Sequence, residues 1–124
     1  MPLITILVED SQRIRDNLIP ALVELAECNV VAVAESPLEA EQVLDAHQDA
    51  WQLAVVDLFL KDGSGLSVLR HCQARRANQH VLVLTNYPTA EIRARCLALG
   101  ADGVFDKSTQ LDDFFAECVR YSPR

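Results

Sequence analysis

Five side chains that could do chemistry each close or follow a short apolar run of the chain. They are three carboxylates, one hydroxyl and one ammonium: Glu9, Asp10, Asp57, Thr85 and Lys107. Carboxyl ends of parallel strands meet at one edge of a sheet, where the strand order reverses. If the runs form strands in the common order 2-1-3-4-5, all five groups converge on that edge.

That set of groups suits phosphoryl chemistry. Carboxylates held close together repel one another, and a hard divalent cation such as Mg²⁺ relieves the repulsion and prefers oxygen ligands. A cation of this kind also neutralises charge on a phosphoryl group. Lys107 and Thr85 could contact further phosphoryl oxygens, which leaves Asp57 as the nucleophile that forms an aspartyl phosphate. Singly, each residue has an ordinary role as cap, strand former or solvated charge, so the argument depends on their shared position.

Other phosphate-handling sites lack their required residues. The first loop, Val8-Glu9-Asp10-Ser11, contains no glycine, which excludes a dinucleotide or Walker-type phosphate loop. Asp57-Leu58-Phe59 lacks the second acid, two positions on, that haloacid-dehalogenase-like phosphatases use. A hydrolase of small phosphate esters is therefore disfavoured.

The elements that must position these groups alternate regularly. Five apolar runs predict strands at residues 3–8, 30–34, 53–57, 81–85 and 104–106, and a helical pattern follows each of them. Strands this apolar are usually covered on both faces, which is typical of parallel sheets. We therefore expect an α/β fold, doubly wound, with five parallel strands and five helices.

Several local signals predict where the helices begin and end. Ser36-Pro37-Leu38-Glu39 reads as a capping box with proline at the first helical position, and Gly100 reads as a left-handed helix end. In the first helix, residues 11–27, Leu25 is expected to face inward, and Pro20 predicts a kink or a late start. The last helix is expected to start near Ser108 or Thr109.

Composition narrows the class of protein. The 124 residues fit one domain, 1–124, and because the chain ends soon after the fifth helix we expect a stand-alone protein. A formal net charge of −7 argues against direct nucleic-acid binding. The four cysteines form no C-x-x-C pair and are expected to be buried, reduced thiols. No run is long enough to span a membrane and no signal peptide is recognised, so a cytoplasmic location is expected.

Over nearly its whole length the sequence resembles the receiver domains of two-component response regulators, which have a flavodoxin-like fold. The matching segments are Ile6-Leu7-Val8-Glu9-Asp10-Ser11, Val55-Val56-Asp57-Leu58, Gly63-Ser64-Gly65, Val83-Leu84-Thr85, and Gly100-Ala101-Asp102-Gly103 through Lys107. The resemblance implies phosphoryl transfer from a histidine kinase or phosphotransfer protein to Asp57. It implies Mg²⁺ bound by Glu9, Asp10, Asp57 and the backbone carbonyl of Phe59.

The resemblance also implies that Thr85 and Lys107 sense and hold the phosphoryl group. It implies a signalling module rather than an enzyme, although such a domain can catalyse its own phosphorylation and dephosphorylation. Output would pass by protein contact through the surface of the fourth helix, fifth strand and fifth helix.

The sequence departs from the family pattern in ways that matter. Glu9 stands where Asp is commoner, and Val104, three before the lysine, stands where receivers usually carry Tyr or Phe. Phe105 should point to the opposite face of its strand. Phe59 and Tyr87, each two positions beyond a site residue, are predicted to shield an aspartyl phosphate from water. The Val104 departure keeps an alternative open, a receiver-like scaffold that phosphate does not regulate.

Overall fold

The fold is described by a computed structural model that covers residues 2–122. Seven strands and five helices follow one another along the chain: β1 (Leu3–Val8), α1 (Gln12–Ala26), β2 (Cys28–Ala34), α2 (Pro37–Ala46), β3 (Leu53–Val56), β4 (Phe59–Leu60), β5 (Gly63–Ser64), α3 (Gly65–His71), β6 (His80–Thr85), α4 (Ala90–Ala98), β7 (Gly103–Asp106) and α5 (Leu111–Tyr121). Within residues 2–122 no helix combines the length and apolarity that crossing a membrane requires.

The main sheet has five parallel strands in the order β2-β1-β3-β6-β7. The predicted fourth and fifth strands are β6 and β7, so the expected order 2-1-3-4-5 is confirmed. Strand order reverses between β1 and β3, which places the carboxyl ends of these two strands side by side, with Val8 opposite Val56. The remaining two strands, β4 and β5, form a small antiparallel hairpin that the sequence did not predict.

Successive side chains along each strand point to opposite faces of the sheet and pack into two apolar cores, one under each layer of helices. Ala54 and Val56 of β3 belong to one core, whereas Leu53 and Val55 belong to the other. All four residues of β3 are buried, as expected for a strand covered on both faces. On β7, Val104 lies in the first core and Phe105 packs against the second, which confirms that they point to opposite faces of the sheet.

Local capping follows the sequence signals. The Ser36 hydroxyl accepts a hydrogen bond from the Glu39 backbone N–H at 3.2 Å, and the Glu39 carboxylate accepts one from the Glu35 N–H at 2.8 Å. The two bonds satisfy donors that the start of α2 would otherwise leave exposed. At the far end of α4, Gly100 adopts a positive φ of 99°, a conformation that favours glycine.

Two local predictions are wrong and a third is narrowed. The first helix begins at Gln12 and runs through Pro20, so of the predicted kink or late start the late start is excluded. Leu25 is 58% exposed, because Leu18, Leu22 and Ala26 form the buried stripe and Leu25 lies beside it.

The last helix begins at Leu111, not at Ser108 or Thr109. The Asp106 carboxylate accepts the Ser108 N–H at 2.7 Å, and the Asp106 carbonyl accepts the Gln110 N–H at 2.9 Å. These bonds hold residues 107–109 in a turn and delay the helix. The cysteine prediction is confirmed, since all four thiols are free and buried.

Candidate functional site

The two strands beside the order reversal carry the acidic residues to one edge. The Glu9 N–H donates to the carbonyl of Ala34 at 2.9 Å, and the Asp57 N–H donates to the carbonyl of Val8 at 2.9 Å. These bonds continue the sheet one residue past β1 and β3, which fixes the backbone at both acids. One carboxylate oxygen from each of Glu9, Asp10 and Asp57 lies within 4.8 Å of the other two.

Lys107 reaches this acidic group from the other side of the reversal. Its backbone N–H donates to the Thr85 carbonyl at 2.9 Å, which ties the end of β7 to the end of β6. Its Nζ lies 2.5 Å from Glu9 Oε1 and 3.1 Å from Asp57 Oδ2. We call Glu9, Asp10, Asp57, Thr85 and Lys107 the site cluster. The structure brings together four of the five side chains that the sequence singled out, those of the three acids and Lys107. The backbone bond from Lys107 places the fifth residue, Thr85, next to the lysine.

The charge balance of the site cluster favours an added cation. Three carboxylates face one ammonium, and the Glu9 and Asp57 side chains are only 2% and 8% exposed. Burial raises the pKa of the Asp10 carboxyl above its ordinary value, the hydrogen bond and charge of Glu9 raise it further, and Lys107 offsets part of the rise. Carboxylate oxygens crowded in this way are the donor set that Mg²⁺ prefers, so the residues present fit that ion.

Thr85 contributes an unsatisfied hydroxyl. The residue is fully buried, and its Oγ1 has no hydrogen-bond partner among residues 2–122. Buried hydroxyls are nearly always hydrogen-bonded, because leaving one unsatisfied costs about 1–3 kcal/mol. A ligand oxygen at this edge of the sheet would satisfy it.

Gly65 allows the hairpin to fold tightly against the strand that carries Asp57. A Cβ atom added at Gly65 would lie 2.1 Å from the Asp57 carbonyl oxygen, a distance that no side chain tolerates. The Gly65 N–H also donates to the Leu58 carbonyl at 2.9 Å. The segment Gly63-Ser64-Gly65 was recognised in the sequence as a motif, but its close approach to the backbone of Asp57 was not predicted.

Two aromatic rings stand at the rim of the site. Phe59 and Tyr87 are 60% and 70% exposed, and their rings meet edge to face with centroids 6.2 Å apart. The Phe59 N–H lies 3.5 Å from Asp57 Oδ1, at the outer limit for a hydrogen bond. The roles of the Phe59 carbonyl as a ligand and of the two rings as a shield stay predictions.

Sequence reasoning missed Arg15, which supports Glu9 from behind. Arg15 Nη1 donates to the Glu9 carbonyl at 2.8 Å and pairs with a carboxylate oxygen of Glu35 at 3.0 Å. The Ser11 N–H donates to Glu9 Oε2 at 3.1 Å, so Glu9 is held through its backbone and through both carboxylate oxygens. Nothing in the spacing of Arg15 along α1 distinguishes it from a solvated arginine.

Comparison with known proteins agrees with this geometry. The family described as response regulator receiver domain matches residues 5–118. Among curated proteins, the chain is 34% identical over 90 residues to the acid tolerance regulatory protein ActR of Rhizobium meliloti (strain 1021), a match that covers 73% of this chain and 45% of ActR. The chain thus spans less than half the length of this relative.

Two solved structures share the fold at low sequence identity. A DNA-binding response regulator of the LuxR family from Staphylococcus aureus superimposes with a TM-score of 0.84 at 14% identity, covering 96% of this chain and 98% of that one. The CheX-CheY-BeF3-Mg+2 complex from Borrelia burgdorferi gives a TM-score of 0.78 at 16% identity, covering 94% and 90%.

Proposed function

Because this chain belongs to the response regulator receiver domain family, we propose that it is a phosphoacceptor module that takes a phosphoryl group onto Asp57. The observation that carries the proposal is the site cluster itself. Three crowded carboxylates and one ammonium bonded to two of them lie at a single edge of the sheet. At the end of the strand next to the lysine, Thr85 adds a buried hydroxyl that has no partner among residues 2–122.

The proposed reaction transfers the phosphoryl group from a covalent bond in the donor to a covalent bond with Asp57. An Asp57 carboxylate oxygen attacks the phosphorus of the donor, and the bond from phosphorus to the leaving group breaks as the acyl phosphate forms. The leaving group keeps the electron pair and takes up a proton. Lys107 is placed to balance charge on a phosphoryl oxygen, and the Thr85 hydroxyl gains the hydrogen bond it lacks.

Mg²⁺ would be held by Asp10, Asp57, Glu9 and the backbone carbonyl of Phe59. When bound, it would neutralise negative charge on the phosphoryl oxygens. The three crowded carboxylates at Asp57 support this part of the proposal, as does the raised pKa of Asp10. Glu9, whose carboxylate oxygens already bond Lys107 and the Ser11 N–H, contributes chiefly by holding the lysine beside Asp57.

We also propose the partners and setting of the module. The phosphoryl donor is a histidine kinase or a histidine phosphotransfer protein, and output passes by protein contact through the surface of α4, β7 and α5. The net charge of −7 supports a domain that does not itself contact nucleic acid. A single-domain, cytoplasmic protein is the arrangement that we propose.

One observation favours a second candidate, a scaffold that binds partners without regulation by phosphate. Val104, 7% exposed, fills its place in the core with an aliphatic side chain where receivers usually carry an aromatic one. A scaffold would bind its partner equally well with and without a phosphoryl group on Asp57. The two candidates are therefore separated by measuring partner binding in both states.

The direct test is intact-mass spectrometry after incubation with acetyl phosphate, with and without Mg²⁺. We expect wild type to gain one phosphoryl group that depends on Mg²⁺, and Asp57→Asn to gain none. Asp62→Asn, which removes an exposed acid from the nearby hairpin turn, is the matched control and should behave as wild type. Equal uptake in Asp57→Asn would place the phosphoryl group elsewhere, and no uptake from either acetyl phosphate or a phosphohistidine donor would refute the proposal.

A further inference from the structure

One arginine outside the site cluster binds three separate segments of the chain at once. Arg93, on α4, donates through Nε to the Pro88 carbonyl at 3.2 Å and through Nη1 to the Val104 carbonyl at 2.7 Å. Its Nη2 donates to the side-chain oxygen of Gln110 at 2.7 Å. A planar guanidinium with donors in a fixed fork is suited to holding several acceptors in a set geometry.

Gln110 extends this contact to the turn at residues 107–109, between β7 and α5. Its side-chain oxygen also accepts the Asp106 N–H at 3.0 Å, so one oxygen joins Arg93 to the end of β7. Gln110 occupies the N-cap position of α5, yet it makes no side-chain capping bond there. Its amide oxygen is instead committed to Arg93 and Asp106.

The acceptors of Arg93 are all neutral. Within residues 2–122, Arg93 forms no ion pair, whereas six other basic side chains do so. Its three partners are two backbone carbonyls and one amide oxygen. The contact therefore specifies where these segments lie, rather than neutralising a charge.

Each bonded segment is adjacent to a residue of the site cluster. Pro88 lies three residues after Thr85, and Val104 and Gln110 lie three residues before and after Lys107. The Lys107 N–H already joins the two segments through the Thr85 carbonyl at 2.9 Å. Arg93 joins the same two segments a second time, through the Pro88 and Val104 carbonyls. The spacing between Thr85 and Lys107 is therefore fixed at two points.

We infer that Arg93 is a positioning residue for phosphoryl transfer, which sets the separation of the Thr85 hydroxyl and the Lys107 ammonium. The inference rests on the proposed function and adds a residue to it. Arg93 touches neither the phosphoryl group nor the acids, and acts through the segments that follow β6 and flank the end of β7.

This placement predicts a selective effect. The acids of the site cluster follow β1 and β3, and within residues 2–122 no side-chain hydrogen bond of Arg93 reaches those strands. Loss of the fork should therefore displace the groups that meet the phosphoryl oxygens and leave the Mg²⁺ ligands where they are. A small displacement of reacting groups is enough to slow a reaction by one to two orders of magnitude.

The test compares three variants of the full chain: Arg93→Gln, Arg93→Lys and, as the control, Arg95→Gln. Arg95 lies on the same helix, is exposed, and makes no side-chain hydrogen bond or ion pair within residues 2–122. Three quantities are measured for each variant: the phosphorylation rate with acetyl phosphate, the affinity for beryllofluoride, and the dissociation constant of Mg²⁺ alone from amide chemical shifts.

In Arg93→Gln we expect the rate and the beryllofluoride affinity to fall about tenfold, with the Mg²⁺ dissociation constant unchanged. Arg93→Lys should restore little, because an ammonium cannot reach three acceptors in the geometry of the fork. Arg95→Gln should match wild type in all three measurements. This split is the signature of positioning, since general loosening of the domain would weaken Mg²⁺ binding as well.

Other outcomes overturn the inference. An unchanged phosphorylation rate in Arg93→Gln, or full rescue by lysine, refutes it, as does a parallel loss of Mg²⁺ affinity. If Arg93→Gln does not fold, Gln110→Ala removes the acceptor of one arm of Arg93 together with that of the Asp106 N–H, and it is judged by the same three measurements. If wild type takes up no phosphoryl group, the proposed function itself fails, whereas a normal wild type with an unaffected Arg93→Gln refutes the positioning role alone.

Discussion

The two ends of the main sheet each carry a network of polar side chains, and the networks differ in how well their members are satisfied. At the amino end, the network consists of Arg75, Gln79 and Asp102. Gln79 is 4% exposed, donates to the carbonyls of Gln48 and Trp51 at 2.8 and 2.9 Å, and accepts an N–H at 3.0 Å. Both the nitrogen and the oxygen of its side-chain amide therefore have hydrogen-bond partners.

The other two members of the amino-end network are equally well paired. Arg75 donates to the carbonyls of Cys72 and Gly100, and its Nη2 meets Asp102 Oδ2 at 3.0 Å. The same carboxylate oxygen accepts the Val81 N–H at 2.8 Å. Opposite charges are matched one to one, and strand, loop and helix ends are joined.

The site cluster at the carboxyl end is built in the opposite way. Three carboxylates crowd together with one ammonium, which pairs with two of them, and the buried Thr85 hydroxyl has no partner in the described part of the chain, residues 2–122. Crowded like charges and unsatisfied groups lower stability, so their presence needs a reason other than folding. The comparison teaches that polar groups at the amino end hold the fold together, whereas those at the carboxyl end have unmet charge and hydrogen-bonding capacity, which the proposed Mg²⁺ and phosphoryl group would satisfy.

The largest effect should come from the amino end. Gln79→Leu keeps the approximate size of the side chain and removes its hydrogen bonds, which leaves the buried Trp51 carbonyl and the partly buried Gln48 carbonyl without their donor. We expect the free energy of unfolding to fall by about 2–4 kcal/mol, measured by urea denaturation. Phosphoryl uptake by the folded fraction should persist, because Gln79 does not contact the site cluster.

Gln73→Leu is the matched control, since Gln73 is exposed and its side chain forms no hydrogen bond within residues 2–122. It should change stability by less than about 0.5 kcal/mol. If Gln79→Leu proved as mild as Gln73→Leu, the amino-end network would not stabilise the fold, and the comparison between the two ends would break.

How much of this was predictable depends on whether a feature repeats along the sequence. The parallel sheet followed from the apolar runs, and the meeting of Glu9, Asp57 and Lys107 followed once the common strand order was assumed, because parallel strands bring their carboxyl ends to one edge. The contacts of Arg93 and Gln79 were not predictable, since their acceptors are mostly backbone carbonyls. Every residue carries a carbonyl, so no spacing of residue types marks which one an arginine or glutamine will reach.

The start of α5 failed for a related reason. Ser108 and Thr109 are both good helix caps by residue type. The Asp106 carboxylate takes the Ser108 N–H at 2.7 Å and so stabilises a turn in competition with the helix. Where a turn and a helix have comparable local preferences, such bonds determine which of the two forms. The sequence alone does not show which bond is stronger.

The second prediction concerns the rings at the rim of the site cluster. Phe59→Asn combined with Tyr87→Ala should shorten the lifetime of the aspartyl phosphate by roughly tenfold, about 1.4 kcal/mol of barrier, because water then reaches the acyl bond. Decay of the phosphorylated mass after donor removal gives the lifetime. Leu97→Ala, which truncates an exposed apolar residue on α4, is the control.

The double variant should lose little stability, since both rings are more than half exposed. That outcome would sharpen the comparison, because chemistry at the carboxyl end would change while the fold did not. An unaltered lifetime would refute shielding by Phe59 and Tyr87.

The third prediction tests whether the crowded acids lower stability. The pKa of Asp10 is raised in the folded state by burial and then by Glu9, so the folded chain holds this proton more tightly than the unfolded chain. Stability from the protonated form is therefore present below the ordinary value of 3.8 and is lost as pH rises through the folded pKa. At neutral pH without Mg²⁺, Asp10→Asn should be more stable than wild type, but by less than about 1 kcal/mol, because Asp10 is only partly buried and solvent screens its charge.

Mg²⁺ should reverse that order. A cation that binds the folded state stabilises it by mass action, so wild type should gain more from added Mg²⁺ than Asp10→Asn does. Asp16→Asn removes an exposed acid on α1 and should show neither effect. If Asp10→Asn were less stable than wild type without Mg²⁺, the acids would support the fold and the two ends would no longer differ.

The smallest effect should come from an unsatisfied side-chain nitrogen at the amino end. His80 Nδ1 is buried without a hydrogen-bond partner among residues 2–122, and the ring stacks on Tyr121 with centroids 3.8 Å apart. Burial lowers the pKa of His80, helped by Arg75, while Asp102 and Glu117 raise it in part. The neutral ring is tolerated because it stacks, which explains an exception that would otherwise weaken the comparison.

Since the folded state binds the His80 proton less tightly than the unfolded state, the stabilisation is present above the ordinary pKa of 6.5 and is lost as pH falls through the folded pKa. His80→Phe keeps a ring to stack on Tyr121 and cannot be protonated. Its unfolding free energy should therefore fall less than that of wild type as pH drops below 6.5, measured by urea titrations across that range. His71→Phe alters an imidazole on the opposite side of the sheet and serves as the control. If the unfolding free energies of wild type and His80→Phe changed equally with pH, His80 would bind a proton equally well in the folded and unfolded states. Burial and stacking would then not keep the ring neutral, and this explanation of the exception at the amino end would fail.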